Sequence, residues 1–332
     1  MNGLTPQTRE EEILNTLLSA AGGETVSDLT AETRREQWYQ NILDAIKGNN
    51  LTYTLNSEMR REEWLADFIE AAQEGGGGGA WDKDPTADGK TRLYIDVPEN
   101  TRDPYLTLYP NGTVTIDWGD GTTKDTLTGT SKSTAKSIQH TYAKAGKYII
   151  TLSVDGEVRI TGTSSRARIL AKDTSYGNTS SAYLYLLKRA YIGSNVDVYE
   201  YAFINCVALE RIVLPTSVTV IQKNSLSGCK MLKELELPST LTEIKGAGLQ
   251  ALDSLRVLTI PNAVTTIGGS ALNNAFGMKE LHFKRATPPI AGGSAFTNLP
   301  TDCKIYVPTG TLEDYTSEDN YPNSETYTYI EE

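Results

Sequence analysis

The sequence predicts a multidomain chain with short N-terminal α-helices, an all-β sandwich in the middle and a C-terminal solenoid of short repeats. Three observations lead to this prediction. A helical phrase begins three times, at Leu4, Leu29 and Leu55. Short alternating strands separated by turn signals start near Thr91, and leucines recur every 23 residues from Leu209 onward. Repeats of about 20 to 50 residues indicate stacked or tandem architectures.

Composition limits the classes of partner. The 332 residues are 39% hydrophobic and 22% charged, with a formal net charge of −11. Residues 1–79 carry −8 of this charge and leave −3 for the remainder. An acidic chain without a cluster of Lys and Arg is a poor candidate for binding nucleic acid or anionic lipid. We therefore expect neither a nucleic-acid nor a membrane partner, and no cofactor.

No export signal is predicted. The first residues, MNGLTPQTREEE, have neither the basic region nor the apolar region of a secretory signal. The chain has no run of about 18 apolar residues that could span a bilayer. Three cysteines are too few for a disulfide framework. These features predict a protein that is made in a cytoplasm and has no signal peptide.

The three N-terminal copies, residues 1–74, have the pattern of short amphipathic helices. Thr5-Pro6 is a helix-start signal, because threonine accepts an N-cap hydrogen bond and proline suits the first helical position. Apolar residues at matching offsets then form one stripe on each helix. The candidate docking residues on these stripes and at the copy starts are Leu4, Ile13, Leu14, Leu17, Leu29, Trp38, Tyr39, Ile42, Leu55, Trp64, Leu65 and Phe68.

Two interpretations of these copies compete. The stripes could pack together as a three-helix bundle, because helices this short are marginal when isolated in water. Alternatively, each helix could dock into an equivalent groove of a larger assembly, where three linked contacts gain avidity. In either case the copies are expected to attach the chain to something, and the glycine-rich linker over residues 75–90 lets the distal part move.

The copies also resemble a known class of protein. Leu4-Thr5-Pro6 and Thr8-Arg9-Glu10-Glu11, with the related residues 33–36 and 60–63, are similar to the N-terminal segments of phage virion appendage proteins from gut bacteria. The resemblance implies a bacteriophage head fibre or tail fibre, a capsid decoration that serves host attachment. Its partners would be capsid, tail or collar proteins. Such fibres are usually symmetric, so a homo-oligomer such as a trimer is expected.

The middle segment, residues 91–163, has the pattern of a small β-sandwich. Runs such as TRLYIDV, TVTIDW and KYIITLSV alternate apolar and polar residues, and PNG, GDG and KAG mark turns between them. Val114–Thr123 (VTIDWGDGTT) and Ile138–Val154 (IQHTYAKAGKYIITLSV) resemble the PKD family of immunoglobulin-like domains. The resemblance implies that Trp118 lies in the core and that Tyr142 makes a tyrosine-corner contact, in a domain that acts as a spacer or adhesion module.

Residues 186–310, which follow a connector over residues 164–185, predict a leucine-rich-repeat solenoid. Leu209, Leu232 and Leu255 share the 23-residue period, as do Leu214-Pro215 and Leu237-Pro238. The segments TSVTVIQKNSLSGC and NAVTTIGGSALNN resemble BspA-like leucine-rich repeats, which occur in bacterial surface proteins and phage fibres. The end of the array resembles the closing coil of that subclass, and a C-terminal tail over residues 311–332 follows.

One face of the solenoid is the candidate ligand-binding surface. In a stacked array each coil contributes one short strand, and side chains that alternate with the buried leucines point outward. Such a face can also be an ordinary solvated sheet. The outward positions form two columns, the first with Arg211, Glu234, Val257, Glu280 and Lys304 and the second with Val213, Glu236, Thr259, His282 and Tyr306. A host-surface glycan or protein is the expected ligand.

No catalytic or metal site is predicted. His140 and His282, the two histidines, have no Ser, Cys or Asp partner at a catalytic spacing, so structural roles are expected for both. The aspartates of WDKDPTAD and DWGD do not have the spacing of a calcium loop and are expected to cap turns. Cys206 and Cys229 lie one repeat apart and could stack, with free buried thiols favoured over a disulfide.

The order of the segments favours a structural and adhesion protein of a phage virion, located in the virion and without enzymatic activity. It would attach through its N-terminal helices and present its distal domains for host-surface binding. The alternative is a bacterial cell-surface adhesin with BspA-like leucine-rich repeats. That alternative needs an export signal or a wall anchor, and the sequence shows neither.

Overall fold

The computed structural model describes residues 88–99, 102–163, 166–167, 169–171 and 183–332. In chain order the strands are β1 (Thr91–Val97), β2 (Tyr105–Asp117), β3 (Asp125–Thr130), β4 (Lys136–Gln139), β5 (Gly146–Ile160), β6 (Gly162–Thr163), β7 (Arg166–Ala167), β8 (Leu187–Tyr191), β9 (Val196–Val198), β10 (Arg211–Val213), β11 (Val220–Ile221), β12 (Glu234–Glu236), β13 (Glu243–Ile244), β14 (Val257–Ile260), β15 (Thr266–Ile267), β16 (Glu280–Phe283), β17 (Ile290–Ala291), β18 (Lys304–Val307) and β19 (Thr328–Glu331). Helical structure within the described residues is confined to a 3-10 turn at Leu184–Leu186 and one short helix, α1, at Leu312–Thr316.

A nine-stranded sheet joins the middle segment to the first coils of the solenoid. Its main path runs β12-β10-β8-β1-β5-β2-β3, with β4 paired to β2 and β9 paired to β5. Strand β1 pairs antiparallel with β5 on one side and with β8 on the other, where Leu93 lies opposite Ala190. Beyond β8 the pairing becomes parallel, because β10 and β12 belong to successive coils of the repeat.

Each solenoid coil buries leucine or isoleucine between two parallel sheets. Leu209, Leu232 and Leu255 are completely buried. The second sheet has the order β11-β13-β15-β17, and a further sheet, β14-β16-β18-β19, follows the nine-stranded one along the stack. Backbone hydrogen bonds also join the coil turns, since Leu226 N donates to Gly248 O and Leu249 N donates to Ala271 O.

Residues 311–332 close the end of the solenoid. Tyr315 in α1 and Tyr321 are buried, and their hydroxyls donate to the carbonyls of Arg285 and Pro289. Strand β19 then pairs in parallel with β18. The last coil is therefore covered by aromatic side chains and by one added strand, which leaves its buried face protected from water.

The fold class predicted from the sequence is wrong. The described residues are nearly all β-structure, and the middle strands are not a separate sandwich, because β8 and β10 extend their sheet into the solenoid. The physical reason is that the backbone of β1 can form hydrogen bonds along both of its sides. Strand β5 pairs with one side and β8 with the other, so the sheet continues into the solenoid. The helices predicted over residues 1–74 lie outside the described residues, as does most of the 75–90 linker.

Candidate functional site

The outward side chains of β10, β12, β14, β16 and β18 form one surface, here called the front face. The strand registers place Arg211 beside Glu234, Val213 beside Glu236 and His282 beside Tyr306. Glu280 lies between Val257 and Lys304, and Thr259 lies beside His282. The eight candidate ligand-binding residues therefore point to the same side of the stack, since residues two apart on a strand share a face.

An open groove of about 810 Å³ crosses the first part of the front face. It straddles the position where the sheet ladder is interrupted, because β12 ends the nine-stranded sheet and β14 begins the next one. Four candidate residues line it, together with neighbouring valines, leucines and prolines. The lining is Arg211, Ile212, Val213, Leu214, Thr216, Glu234, Leu235, Glu236, Leu237, Pro238, Ser239, Val257, Thr259 and Pro261.

The charged groups in the groove are unequally partnered. Arg211 Nε lies 3.4 Å from a carboxylate oxygen of Glu234, and its guanidinium also lies 5.9 Å from the centre of the Tyr191 ring. Glu236 lies opposite Val213, so its cross-strand neighbour has no charge to offer. The groove therefore combines one compensated ion pair with one additional negative charge.

The second part of the front face is dominated by an aromatic stack. The rings of His282 and Tyr306 have centroids 4.2 Å apart and planes inclined by 6°. Nδ1 of His282 lies 3.1 Å from the carboxylate of Glu332, and Nε2 lies 3.5 Å from Glu280. The hydrogen bond from Lys284 lowers the pKa of Glu332 despite partial desolvation, and the hydrogen bond that the carboxylate accepts from His282 contributes further. This part of the face is thus an interconnected polar cluster.

The structure divides the sequence-predicted residues into two groups. Arg211, Glu234, Glu236 and Thr259 line the groove, whereas Glu280, His282, Lys304 and Tyr306 lie on the following coils. Sequence reasoning missed Pro238, Pro261 and Glu332. The prolines recur with the repeat period, which could have identified them, but Glu332 lies 50 residues from His282 and has no sequence signal.

The candidate docking residues of the N-terminal copies lie outside the described residues. This applies to the whole set: Leu4, Ile13, Leu14, Leu17, Leu29, Trp38, Tyr39, Ile42, Leu55, Trp64, Leu65 and Phe68. Their role as an attachment segment therefore remains a prediction.

His140 belongs to a buried cluster around Trp118. Its ring stacks on Trp118 with centroids 4.5 Å apart, and its Nε2 lies 2.7 Å from Asp120 Oδ2. Tyr142 donates its hydroxyl proton to the Trp118 carbonyl over 3.0 Å, and Trp118 donates through Nε1 to Asp125 over 2.8 Å. Trp118 and Tyr142 are both buried, as the sequence predicts. This arrangement fastens the 118–125 turn to the sheet.

Asp117 and Asp120 act as hydrogen-bond acceptors in their turn, as predicted, whereas Asp82 and Asp84 lie outside the described residues. Asp117 accepts from the Gly119 amide, and Asp120 accepts from the amide and hydroxyl of Thr122. Burial by itself raises the pKa of Asp120, but the hydrogen bonds from Thr122 and His140 outweigh it and leave that pKa below its ordinary value. No group of three His, Cys, Asp or Glu side chains within the described residues is placed to hold a metal ion.

Cys206 and Cys229 are free and buried, the state that the sequence favoured over a disulfide. Cys229 Sγ donates to the Phe203 carbonyl at 3.2 Å. Burial raises the pKa of Cys229 to about 12 and raises that of Cys206 as well. Both thiols are therefore protonated at neutral pH and unreactive in the folded chain.

The repeat array matches a known family model. Residues 196–315 match a family model described as a BspA type leucine rich repeat region, in six copies. The chain carries BspA-type leucine-rich repeats. The match agrees with the 23-residue period and with the stacked strands of the solenoid. A search of curated proteins found no match.

The BspA-type array has similar solved structures. A leucine-rich-repeat protein of T. pallidum is 26% identical, with a TM-score of 0.34, over 37% of this chain and 59% of that one. The pneumococcal vaccine antigen PcpA is 17% identical with a TM-score of 0.36, over 44% and 41%. A leucine rich cell surface protein of Faecalibacterium prausnitzii is 19% identical with a TM-score of 0.31, over 51% and 52%. The chain thus spans between 41% and 59% of the length of these proteins.

Neither the family match nor the solved structures named above indicate a PKD or immunoglobulin-like domain or a phage origin. In the part of the chain that the structure describes, no helix is long and apolar enough to cross a membrane.

Proposed function

We propose that this chain is a non-enzymatic, adhesin-like recognition protein of a bacterial cell surface, and that the front face of its BspA-type array binds the ligand. The observation that carries the proposal is the groove of about 810 Å³, which lies on the outward positions of successive repeats. Repeat arrays use such extended surfaces for binding, because stacking brings corresponding side chains of successive coils together.

The surface-adhesin interpretation is better supported than the virion interpretation. The adhesin alternative rests on the BspA-type repeats, the part of the chain for which a family match exists, whereas the virion interpretation needs the N-terminal copies as well. A virion location, capsid or tail partners and a trimeric state rest on residues 1–74, which lie outside the described residues. These remain predictions, for which neither the fold nor the comparisons provide support.

Binding of the labelled chain to a panel of bacterial and epithelial cells, measured by flow cytometry, tests the proposal. The variant Thr259→Arg/Lys304→Glu places bulk and reversed charge on two exposed front-face positions. Glu243→Lys/Thr266→Arg is the matched control on β13 and β15 of the second sheet. We expect cell binding to fall at least tenfold for the front-face variant and to stay unchanged for the control. Absence of cell binding by the native chain, or equal loss in both variants, would contradict the proposal.

A further inference from the structure

The carboxylate of Glu236 is the uncompensated charge of the groove. Its side chain is exposed on β12, the last strand of the nine-stranded sheet, and within the described part of the chain it has neither a hydrogen bond nor an ion pair. Val213 is its cross-strand neighbour on β10, whereas the nearby Glu234 is paired with Arg211. Opposite charges on neighbouring strands commonly compensate each other. Glu236 has no such neighbour and is therefore free to pair with a cation from outside.

The walls beside Glu236 are partly apolar, and Thr216, Ser239 and Thr259 supply the polar part of the lining. Val213, Val257, Pro238 and Pro261 line the same groove, and the Val257 side chain is 47% exposed. Lysine and arginine bury their aliphatic stems along apolar surfaces while the charged head remains available for hydrogen bonding. A groove in which apolar side chains lie beside a carboxylate therefore matches both parts of a basic side chain.

Other occupants fit the groove less well. Residues 1–79 carry −8 and a second copy of the chain carries −11, so neither brings net complementary charge. None of the fourteen lining residues is aromatic, so the groove offers no ring on which a sugar could stack. The lining spans the three strands β10, β12 and β14, a width that an extended segment can cross with alternate side chains facing the groove.

We propose that the groove binds a lysine or arginine side chain of an extended protein segment on the target surface, with Glu236 as its counter-ion. The inference deepens the proposed function and rests on it. A charge-assisted bond of this kind supplies orientation as well as affinity, because the carboxylate accepts from fixed donor positions. Val213, Val257 and the two prolines contribute by excluding water from the stem.

The test uses two fluorescein-labelled, capped peptides of nine residues with alternating Ser and Val. One has lysine at the centre, and the other has norleucine, which keeps the stem and removes the charge. Fluorescence anisotropy compares the native chain with Glu236→Gln and with the matched control Glu243→Gln on β13. We expect the lysine peptide to bind the native chain at least about tenfold more tightly than it binds Glu236→Gln. Glu243→Gln should leave this affinity unchanged.

The outcomes separate this inference from the proposed function. Loss of lysine-peptide binding and of cell binding in Glu236→Gln, with an unchanged melting temperature, supports the inference. Equal binding of the two peptides, or no effect of Glu236→Gln on either peptide or cell binding, overturns the inference. In that case cell binding by the native chain that is lost in Thr259→Arg/Lys304→Glu still supports the proposed function. Failure of the native chain to bind any cell contradicts the proposed function, and the peptides still decide the preference of the groove.

Discussion

His282 and Tyr306 lie face to face across two coils of the solenoid, with ring centroids 4.2 Å apart. The parallel register of β16 and β18 places them side by side. Glu332, the last residue of the closing segment, lies with its carboxylate 3.1 Å from Nδ1 of the same histidine. Two residues that the sequence predicts as ligand-binding therefore also stabilise the stack. A substitution there lowers stability as well as changing the surface, so binding experiments on the front face need exposed positions such as Thr259 and Lys304.

Replacing His282 by Ala should destabilise the chain through loss of this stack. Cross-strand pairs contribute roughly 0.2 to 1 kcal/mol, so we expect the free energy of unfolding to fall by about 1 kcal/mol. Urea denaturation of His282→Ala, Tyr306→Ala and the double variant gives the coupling energy. Additive effects would show that the rings do not interact, and Lys304→Ala is the exposed control on β18.

Tyr142→Phe should cost more stability than Tyr148→Phe, although both remove one hydroxyl. The Tyr142 hydroxyl is buried and donates to the Trp118 carbonyl, whereas the Tyr148 hydroxyl donates to Lys144 O near the surface. A buried acceptor left without a donor costs about 1 to 3 kcal/mol, and an exposed one is satisfied by water. Thermal denaturation of the two variants compares these costs, and equal losses would contradict the assigned burial.

The thiols should be inaccessible in the folded chain. Because burial raises the pKa of Cys229 and of Cys303 to about 12, their thiolate fractions at pH 8 are negligible. We expect almost no reaction with a disulfide reagent such as DTNB under native conditions and three thiols per chain in denaturant. Fewer than three thiols in denaturant without a reductant would reveal a disulfide.

Acid should destabilise the fold through its hydrogen-bonded carboxylates. The Lys124 partner lowers the pKa of Asp117 and the Lys279 partner lowers that of Asp302, and hydrogen bonds do the same for Asp120 despite its burial. A depressed folded-state pKa means that this stabilisation is present above the ordinary value of 3.8 and is lost as the pH falls through the folded values. The urea midpoint should therefore be constant from about pH 7 to 5 and fall below about pH 4.

Asp120→Asn provides the control for that pH dependence. The variant should be less stable at pH 7, because the carboxylate that accepts from Thr122 and His140 is absent, and it should lose less stability on acidification. A urea midpoint that increases as the native chain is taken from pH 5 to pH 3 would show that protonation of these carboxylates does not destabilise the fold.

The repeat period made the solenoid predictable. A constant spacing determines which residues stack, so the pairing of Arg211 with Glu234 follows from their separation of 23 residues. His282 and Tyr306 are 24 residues apart, so their pairing follows instead from the buried Leu281 and Ile305 that precede them on their strands. Burial of one leucine per coil then determines which side chains point outward. The two columns of the front face follow from these two facts alone.

Pairings between distant segments were not predictable. The antiparallel contact of Leu93 in β1 with Ala190 in β8 joins the middle segment to the solenoid, and no local pattern distinguishes a strand with two partners from one with a single partner. The approach of Glu332 to His282 depends on how the closing segment folds over the last coil. The groove depends on the interrupted ladder between β12 and β14, which the uniform period does not reveal.

Carboxylate footprinting of the chain bound to its target cells shows directly whether the front face is the recognition surface. Carbodiimide-driven labelling with glycine ethyl ester, followed by mass spectrometry, reports the accessibility of individual glutamates. If the front face is the recognition surface, labelling of Glu234 and Glu236 should fall on binding, while Glu243 on the second sheet should label equally in the bound and free chain. Protection of Glu243, with Glu234 and Glu236 unchanged, would show that the target binds the second sheet and not the front face.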